Sequence, residues 1–176
     1  MQKVVPLILI VVMWLFISGT RQKKNNELWQ SWDQVIEESS KSNKPIFINV
    51  YTDWCRYCKV MDATTLKNDS VVSFLKNNFL RFKMDGEGKD TIKWNNKIFT
   101  YNKRYKTHDF AVYLTRGSIA YPTTVIISPG GQPFYKQGFI NVAEMELLLK
   151  YFSQPAVSRI SFEDYARTFN STWLTK

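Results

Sequence analysis

The segment Ile46 to Tyr51 is a dense run of β-favouring side chains broken only by Asn49, and Asp53-Trp54-Cys55 follows it at once. A strand this apolar is covered on both faces, so it belongs at the centre of a sheet between two layers. From Cys55 to about Lys67 the spacing turns helical, which sets Cys55-Arg56-Tyr57-Cys58 where a buried strand gives way to a helix. These are the only 2 cysteines in 176 residues, too few for a disulfide framework. The core must therefore hold the fold together, and 44% hydrophobic with 15% aromatic residues can build one.

The flanking segments extend the pattern. Leu28, Trp32, Val35 and Ile36 fall on one face of an amphipathic helix that stops in the turn Lys41 to Pro45. Asp69 or Ser70 can cap a helix carrying Val71, Val72, Leu75 and Phe79. Leu80, Phe82 and Met84 then alternate with Arg81 and Lys83 as a strand with one cationic side, closed by Asp85-Gly86-Glu87-Gly88. Thr123 to Ser128 and Phe134 to Gly138 read as a hairpin around Pro129-Gly130-Gly131-Gln132, and Val142, Met145, Leu148, Leu149 and Phe152 mark a final helix. This order gives an α/β fold, a mixed central β-sheet flanked by helices, with a parallel βαβ half and an antiparallel ββα half. Beyond Pro155, Ser161 with Asp164 can cap a short helix bearing Phe162, Tyr165 and Phe169.

Two stretches stand outside that pattern. Val4 to Ile17 is an unbroken apolar run, preceded by Lys3 and followed by Ser18-Gly19-Thr20 and then Arg21, Lys23 and Lys24. Its length matches a signal peptide's apolar region, whereas a spanning helix needs about 20 residues, so residues 1–20 are a signal peptide or a membrane anchor. The expected location is extracytoplasmic, periplasmic or anchored facing the periplasm. Lys89 to Arg116 is basic and aromatic, with Trp94, Phe99, Tyr101, Tyr105, Phe110 and Tyr113 among its cations, and has poor periodicity; a helix is expected near Tyr101 to Leu114. Its aromatics are expected to pack and its lysines to be solvated, with a partner-docking surface as the second reading and no nucleic acid. The 24 Lys and Arg against 15 Asp and Glu do not choose a partner.

Disulfide exchange needs three things that meet around Cys55. The attacking sulfur must be a thiolate, and a helix N-terminus puts partial positive charge beside it, with Arg56 and Lys59 adding to the field. The mixed disulfide must be resolved, and a two-residue spacer puts Cys58 about one turn away. The partner chain must lie beside the sulfur, and a proline at a strand's start leaves neighbouring backbone free; Pro122 fits that role if its peptide bond is cis. C-x-x-C is also half of a zinc site, but no second pair exists and His108 is the only histidine. A permanent structural disulfide across so short a loop would add little stability. His108 itself reads as a solvated loop or helix residue.

Lys44-Pro45-Ile46, the stretch Tyr51 to Met61, Phe82-Lys83-Met84-Asp85 and Tyr121-Pro122-Thr123-Thr124 resemble thioredoxin-family proteins, above all exported bacterial thioredoxin-like proteins and the C-terminal domain of the disulfide reductase DsbD. The likeness covers about Glu27 to Phe152. It implies a thioredoxin fold in residues 21–153, with an insertion at about 89–116 before a cis Pro122 and a C-terminal extension over 154–176. It also implies that Cys55 attacks and Cys58 resolves, with Trp54, Arg56, Tyr57, Lys59, Tyr121, Pro122 and Thr123 in substrate-binding or supporting positions.

The expected activity is that of an extracytoplasmic thiol:disulfide oxidoreductase, most naturally a reductase, with protein dithiols and disulfides as partners and an upstream dithiol protein as electron donor. Residues 4–20 would form its membrane tether. No organic cofactor or metal is implied, only the Cys55–Cys58 pair. An oxidase or isomerase, and a non-catalytic thioredoxin-fold binding module, are the alternatives. Three departures from the family matter: Asn49 stands where many relatives keep a buried acid, so protons must pass through water or another group such as an inward-turned Asp53; the spacer is Arg56-Tyr57 instead of Gly-Pro, whose added positive charge should favour the reduced thiolate and a potential above that of thioredoxin; and the 89–116 insertion can form a lip over the site.

Overall fold

The computed structural model describes residues 28–155 and 160–173; the expected signal peptide or anchor lies outside them. The first half runs α1 (Trp32–Ser39), β1 (Ile46–Tyr51), α2 (Arg56–Ala63), a 3-10 turn at Thr65–Lys67, α3 (Asp69–Asn78) and β2 (Leu80–Asp85). Two small hairpins follow, β3 (Ile92–Trp94) with β4 (Lys97–Phe99) and β5 (Tyr101–Asn102) with β6 (Thr107–His108). Then come α4 (Asp109–Leu114), β7 (Thr123–Ile127), β8 (Phe134–Gln137), α5 (Val142–Phe152) and α6 (Phe162–Thr168). Among the described residues no helix is long and apolar enough to cross a membrane.

The main sheet has the order β2-β1-β7-β8, with β1 parallel to β2 and antiparallel to β7, and β7 antiparallel to β8. This is the mixed sheet of a thioredoxin fold. Side chains alternate across a strand, so β1 feeds two cores at once. Ile46, Ile48 and Val50 pack with Val125, Ile127, Trp32, Phe110 and Leu114 on the α1/α4 face, while Phe47 and Ile126 pack with Met61, Val71, Leu75, Met145 and Leu148 on the α2/α3/α5 face. Because β1 and β7 are antiparallel, the end of β1 and the start of β7 meet at one edge, with Val50 opposite Thr123. That edge carries the cysteines and Pro122.

Local chemistry moves several boundaries. The first helix begins at Trp32 because Ser31 and Gln34 form a reciprocal capping box. Leu28 to Gln30 instead lies along β2, with Gln30 N–H donating to Arg81 O at 2.9 Å. Asn68, not Asp69 or Ser70, caps α3, its Oδ1 accepting from the N–H groups of Ser70 and Val71. The helix expected from Tyr101 shrinks to Asp109–Leu114, since Tyr101 and Asn102 pair with His108 and Thr107 in the β5–β6 hairpin, whose turn holds Lys106 at positive φ, and the chain is free to coil only after His108.

His108 is not solvated: it is 1% exposed and caps α4, Nδ1 accepting from Phe110 N–H at 3.0 Å while Nε2 bonds Asp90 O at 2.8 Å. The expected packing of aromatics appears in part, with Trp32 against Trp94 and Phe110, and Phe99 against Phe110 and Tyr113, whereas Tyr105 stays exposed at the tip of the β5–β6 hairpin. At the C-terminal end, Ser171 to Trp173 return to α5 through the buried Glu146 carboxylate, and Trp173 packs on Phe74.

Candidate active site

Cys55 and Cys58 are joined by a disulfide, with Cα atoms 5.3 Å apart. Cys55 is the N-cap of α2: its backbone is extended, its N–H donates to Thr52 O at 3.1 Å, and its Sγ accepts from Cys58 N–H at 3.0 Å. The sulfur occupies the place that a serine or aspartate oxygen takes in an ordinary cap, at the positive end of the helix. Both cysteines are largely covered, at 4% and 2% exposure, while Trp54 and Tyr57 on either side are 66% and 65% exposed. Arg56 and Lys59 face solvent.

The second half of the site comes from the Tyr121–Pro122 peptide, which is cis. Tyr121 meets Trp54 edge to face at 5.8 Å, setting this segment beside the cysteine loop. Pro122 is buried and its carbonyl accepts from Gly138 N–H at 2.8 Å. Thr123 is fully buried, and its hydroxyl donates to Ala120 O at 2.7 Å, so it braces the turn. Burial pushes the Tyr121 phenol above its ordinary pKa, with Glu87 and Asp85 adding to that rise and the bond to Thr107 opposing it.

Two supporting residues had no signal of their own in the sequence. Glu87 accepts from the Trp54 indole N–H at 3.0 Å, and Thr107, on β6 of the insertion, bonds both Gly86 O and the Tyr121 hydroxyl at 3.1 Å. The insertion thus reaches the site. Asp53 does not turn inward as considered above: it is exposed. Beneath α2, Asn49 lies between Lys83 and Thr124 in register across the sheet. The Asn49 amide and the hydroxyls of Thr52 and Thr124 are buried without a partner among the described residues. Lys83 pairs with Asp62 at 2.7 Å and stands over the Tyr51 ring. Among the described residues no three His, Cys, Asp or Glu side chains gather as metal ligands.

A dithiol held in this way can attack a disulfide and then close on itself. A solved structure agrees on the architecture. The solved thioredoxin-fold protein from Helicobacter pylori is 12% identical with a TM-score of 0.50 over 71% of this chain and 79% of that one. A structure described as DsbH oxidoreductase is 18% identical with a TM-score of 0.44, covering 62% and 71%. Among curated proteins, spermatogenesis-associated protein 20 of Mus musculus is 29% identical over 107 residues, 60% of this chain and 12% of the mouse protein, so the chain spans a small part of that relative. The family model Thioredox_DsbH, described as "Protein of unknown function, DUF255", matches residues 19–157, and the chain belongs to that thioredoxin-like family.

Proposed function

We propose that the protein is an extracytoplasmic thiol:disulfide oxidoreductase acting on protein partners, exported or tethered through residues 4–20 and working as a reductase. The observation that carries this reading is the Cys55 sulfur at the α2 N-cap, 3.0 Å from the Cys58 N–H and bonded to Cys58. In the reduced protein the Cys55 thiolate attacks one sulfur of a partner disulfide, and the partner's other sulfur leaves as a thiolate and takes a proton from solvent. Cys58, once deprotonated, attacks Cys55 of the mixed disulfide, releasing the second partner thiol. Two electrons pass to the partner, and the resulting Cys55–Cys58 disulfide is reduced again by an upstream dithiol protein. No organic cofactor or metal enters these steps.

Trp54, Tyr57, Tyr121 and Pro122 would form the face that the partner chain meets, with Arg56 and Lys59 favouring the thiolate and Thr123 bracing the turn. The exposed cation Arg56, beside Cys55, favours the reduced thiolate form and so also supports a second reading, the same chemistry run as an oxidase or isomerase.

The Cys58→Ala variant, expressed in the native host, should accumulate mixed disulfides through Cys55 that dissolve on reduction. Insulin reduction by the wild-type protein then separates reductase from oxidase. Absence of trapped species together with inertness toward insulin would leave only a binding module.

A further inference from the structure

An open cavity of about 740 Å³ is lined by Trp54, the residue before Cys55, and Tyr121, the residue before Pro122, together with Tyr105, Thr107, Val112 and Ile119. Two of its walls are the residues that flank Cys55 and Pro122, so the cavity continues the reactive face. The rest comes from β6, α4 and the loop before Tyr121, where the insertion folds back. The polar groups on its inner wall are engaged with one another: the Trp54 indole N–H donates to Glu87, and the Thr107 hydroxyl is shared between Gly86 O and the Tyr121 hydroxyl, so the remaining polar side-chain atoms of the lining are those of Tyr105, Lys106 and the second Glu87 oxygen at the rim. A polar occupant would find few partners there, whereas an apolar one would bury carbon surface at no cost in hydrogen bonds. The hairpin bearing Tyr105 is anchored by His108 N–H to Gly86 O at 2.7 Å, so this wall is built in.

The rim is cationic. Lys106 lines it, Arg104 stands over the Tyr105 ring at 5.5 Å, and Arg116 precedes the lining residue Gly117. Glu87 is the acidic residue among the lining, with one oxygen turned to Trp54. Tyr105 is 65% exposed and Trp54 66%, large aromatic faces of the kind that anchor partner chains.

We infer that this cavity is a specificity subsite for the substrate polypeptide: it takes a large apolar side chain, best an aromatic ring, lying a few residues from the partner's reactive cysteine in an extended segment with acidic neighbours. The inference rests on the exchange activity proposed above and names its substrate class. The volume holds one ring together with the backbone on either side. Continuity with the cysteine face and the cationic rim favour a protein segment as its occupant.

The test uses symmetric disulfide dimers of a short single-cysteine peptide with aspartate flanks, in which one phenylalanine is moved along the positions around cysteine, against an all-alanine control. In at least one register, phenylalanine should raise the second-order rate constant for single-turnover reduction by the pre-reduced wild-type protein, whose Cys55–Cys58 dithiol supplies the two electrons, about tenfold or more. Tyr105→Ala should cut that ratio to near one. Replacing the aspartates by lysines should slow the reaction at low salt, and Lys106→Glu should shrink the difference. Equal rates for every register and the alanine control would overturn the subsite while leaving exchange intact. Binding is read separately from the Trp54 indole N–H resonance, titrated with peptides carrying serine for cysteine. A shift with the phenylalanine peptide alone, in a protein that exchanges no disulfide, would sink the redox reading and keep the subsite; no shift with any peptide would sink the subsite.

Discussion

The backbone N–H of Cys58 points at the Cys55 sulfur from 3.0 Å, so the residue that would close the catalytic cycle also helps to prepare the one that opens it. When the disulfide is reduced, that N–H and the free amides of the α2 N-terminus face a sulfur that can carry full negative charge. The reduced Cys55 should therefore be a more reactive nucleophile at and below neutral pH than a free thiol. Alkylation of the reduced protein by iodoacetamide across pH, read at each cysteine by mass spectrometry, checks this. Cys55 should label faster than free cysteine below neutral pH, and its rate should reach its plateau at a lower pH than that of free cysteine. A midpoint near that of free cysteine would mean the cap does not activate the sulfur.

Arg56 and Lys59 act on the same charge from a distance and through solvent, where screening is strong. Their effect on the equilibrium is accordingly small. Replacing both by serine should make the pair more reducing by on the order of 10–30 mV at low ionic strength, and the difference should fade in high salt. Equilibration with glutathione buffers measures it. With the cations present the potential should lie above the roughly −270 mV of thioredoxin itself.

The parts of this molecule governed by local rules were legible in the sequence. The apolar run of β1, the helix opening at Cys55 and the proline before β7 each carry a pattern of their own, and the structure brings them to one sheet edge. What escaped depended on distant partners. Trp54 finds Glu87 33 residues away, and Thr107 finds Tyr121 from the β5–β6 hairpin, whose strands are two residues each and whose turn puts a lysine, Lys106, at positive φ where a glycine or asparagine would have been a signal. His108 reads as a surface residue by composition. Only the fold supplies the Asp90 carbonyl and the Phe110 amide that make it a buried cap.

Glu146 holds the C-terminal segment. Its carboxylate is fully buried and accepts from the Ser171 and Thr172 hydroxyls, the Thr172 and Trp173 N–H groups and the Lys150 ammonium at 2.6 Å. Burial pushes this carboxyl up, and the combined donors outweigh it and hold it down at about 2 against an ordinary 4.5. A carboxyl depressed in the folded state stabilises the protein above its unfolded pKa. That contribution, on the order of 3 kcal/mol, is lost as pH falls from about 4.5 toward 2. Glu146→Gln should lower stability at pH 7 by about 2–3 kcal/mol and flatten the acid limb, seen in urea titrations at several pH values. Amide exchange over 160–173 should rise in the same variant.

Gly86 is the point where the insertion, the central strand and the cis turn are tied together. Its N–H donates to Tyr51 O at 2.7 Å, and its carbonyl accepts from both His108 N–H and the Thr107 hydroxyl. The Tyr121 ring lies against its α-carbon so closely that a Cβ would fall among the ring atoms, and backbone bonds on both sides of Gly86 oppose a shift of the chain. In Gly86→Ala the ring must therefore move, and overpacking of this kind costs about 1–3 kcal/mol. Tyr121 is also the edge-to-face partner of Trp54 and the residue before Pro122, so its displacement reaches the cysteine face. The variant should lose stability by that amount and, in the fraction that remains folded, react more slowly with protein disulfides than with small ones. Gly86→Ala/Tyr121→Ala, which frees the space, should recover part of the lost stability but not the rate on protein substrates. If the double variant is no more stable than Gly86→Ala alone, the contact with Tyr121 is not what requires glycine here.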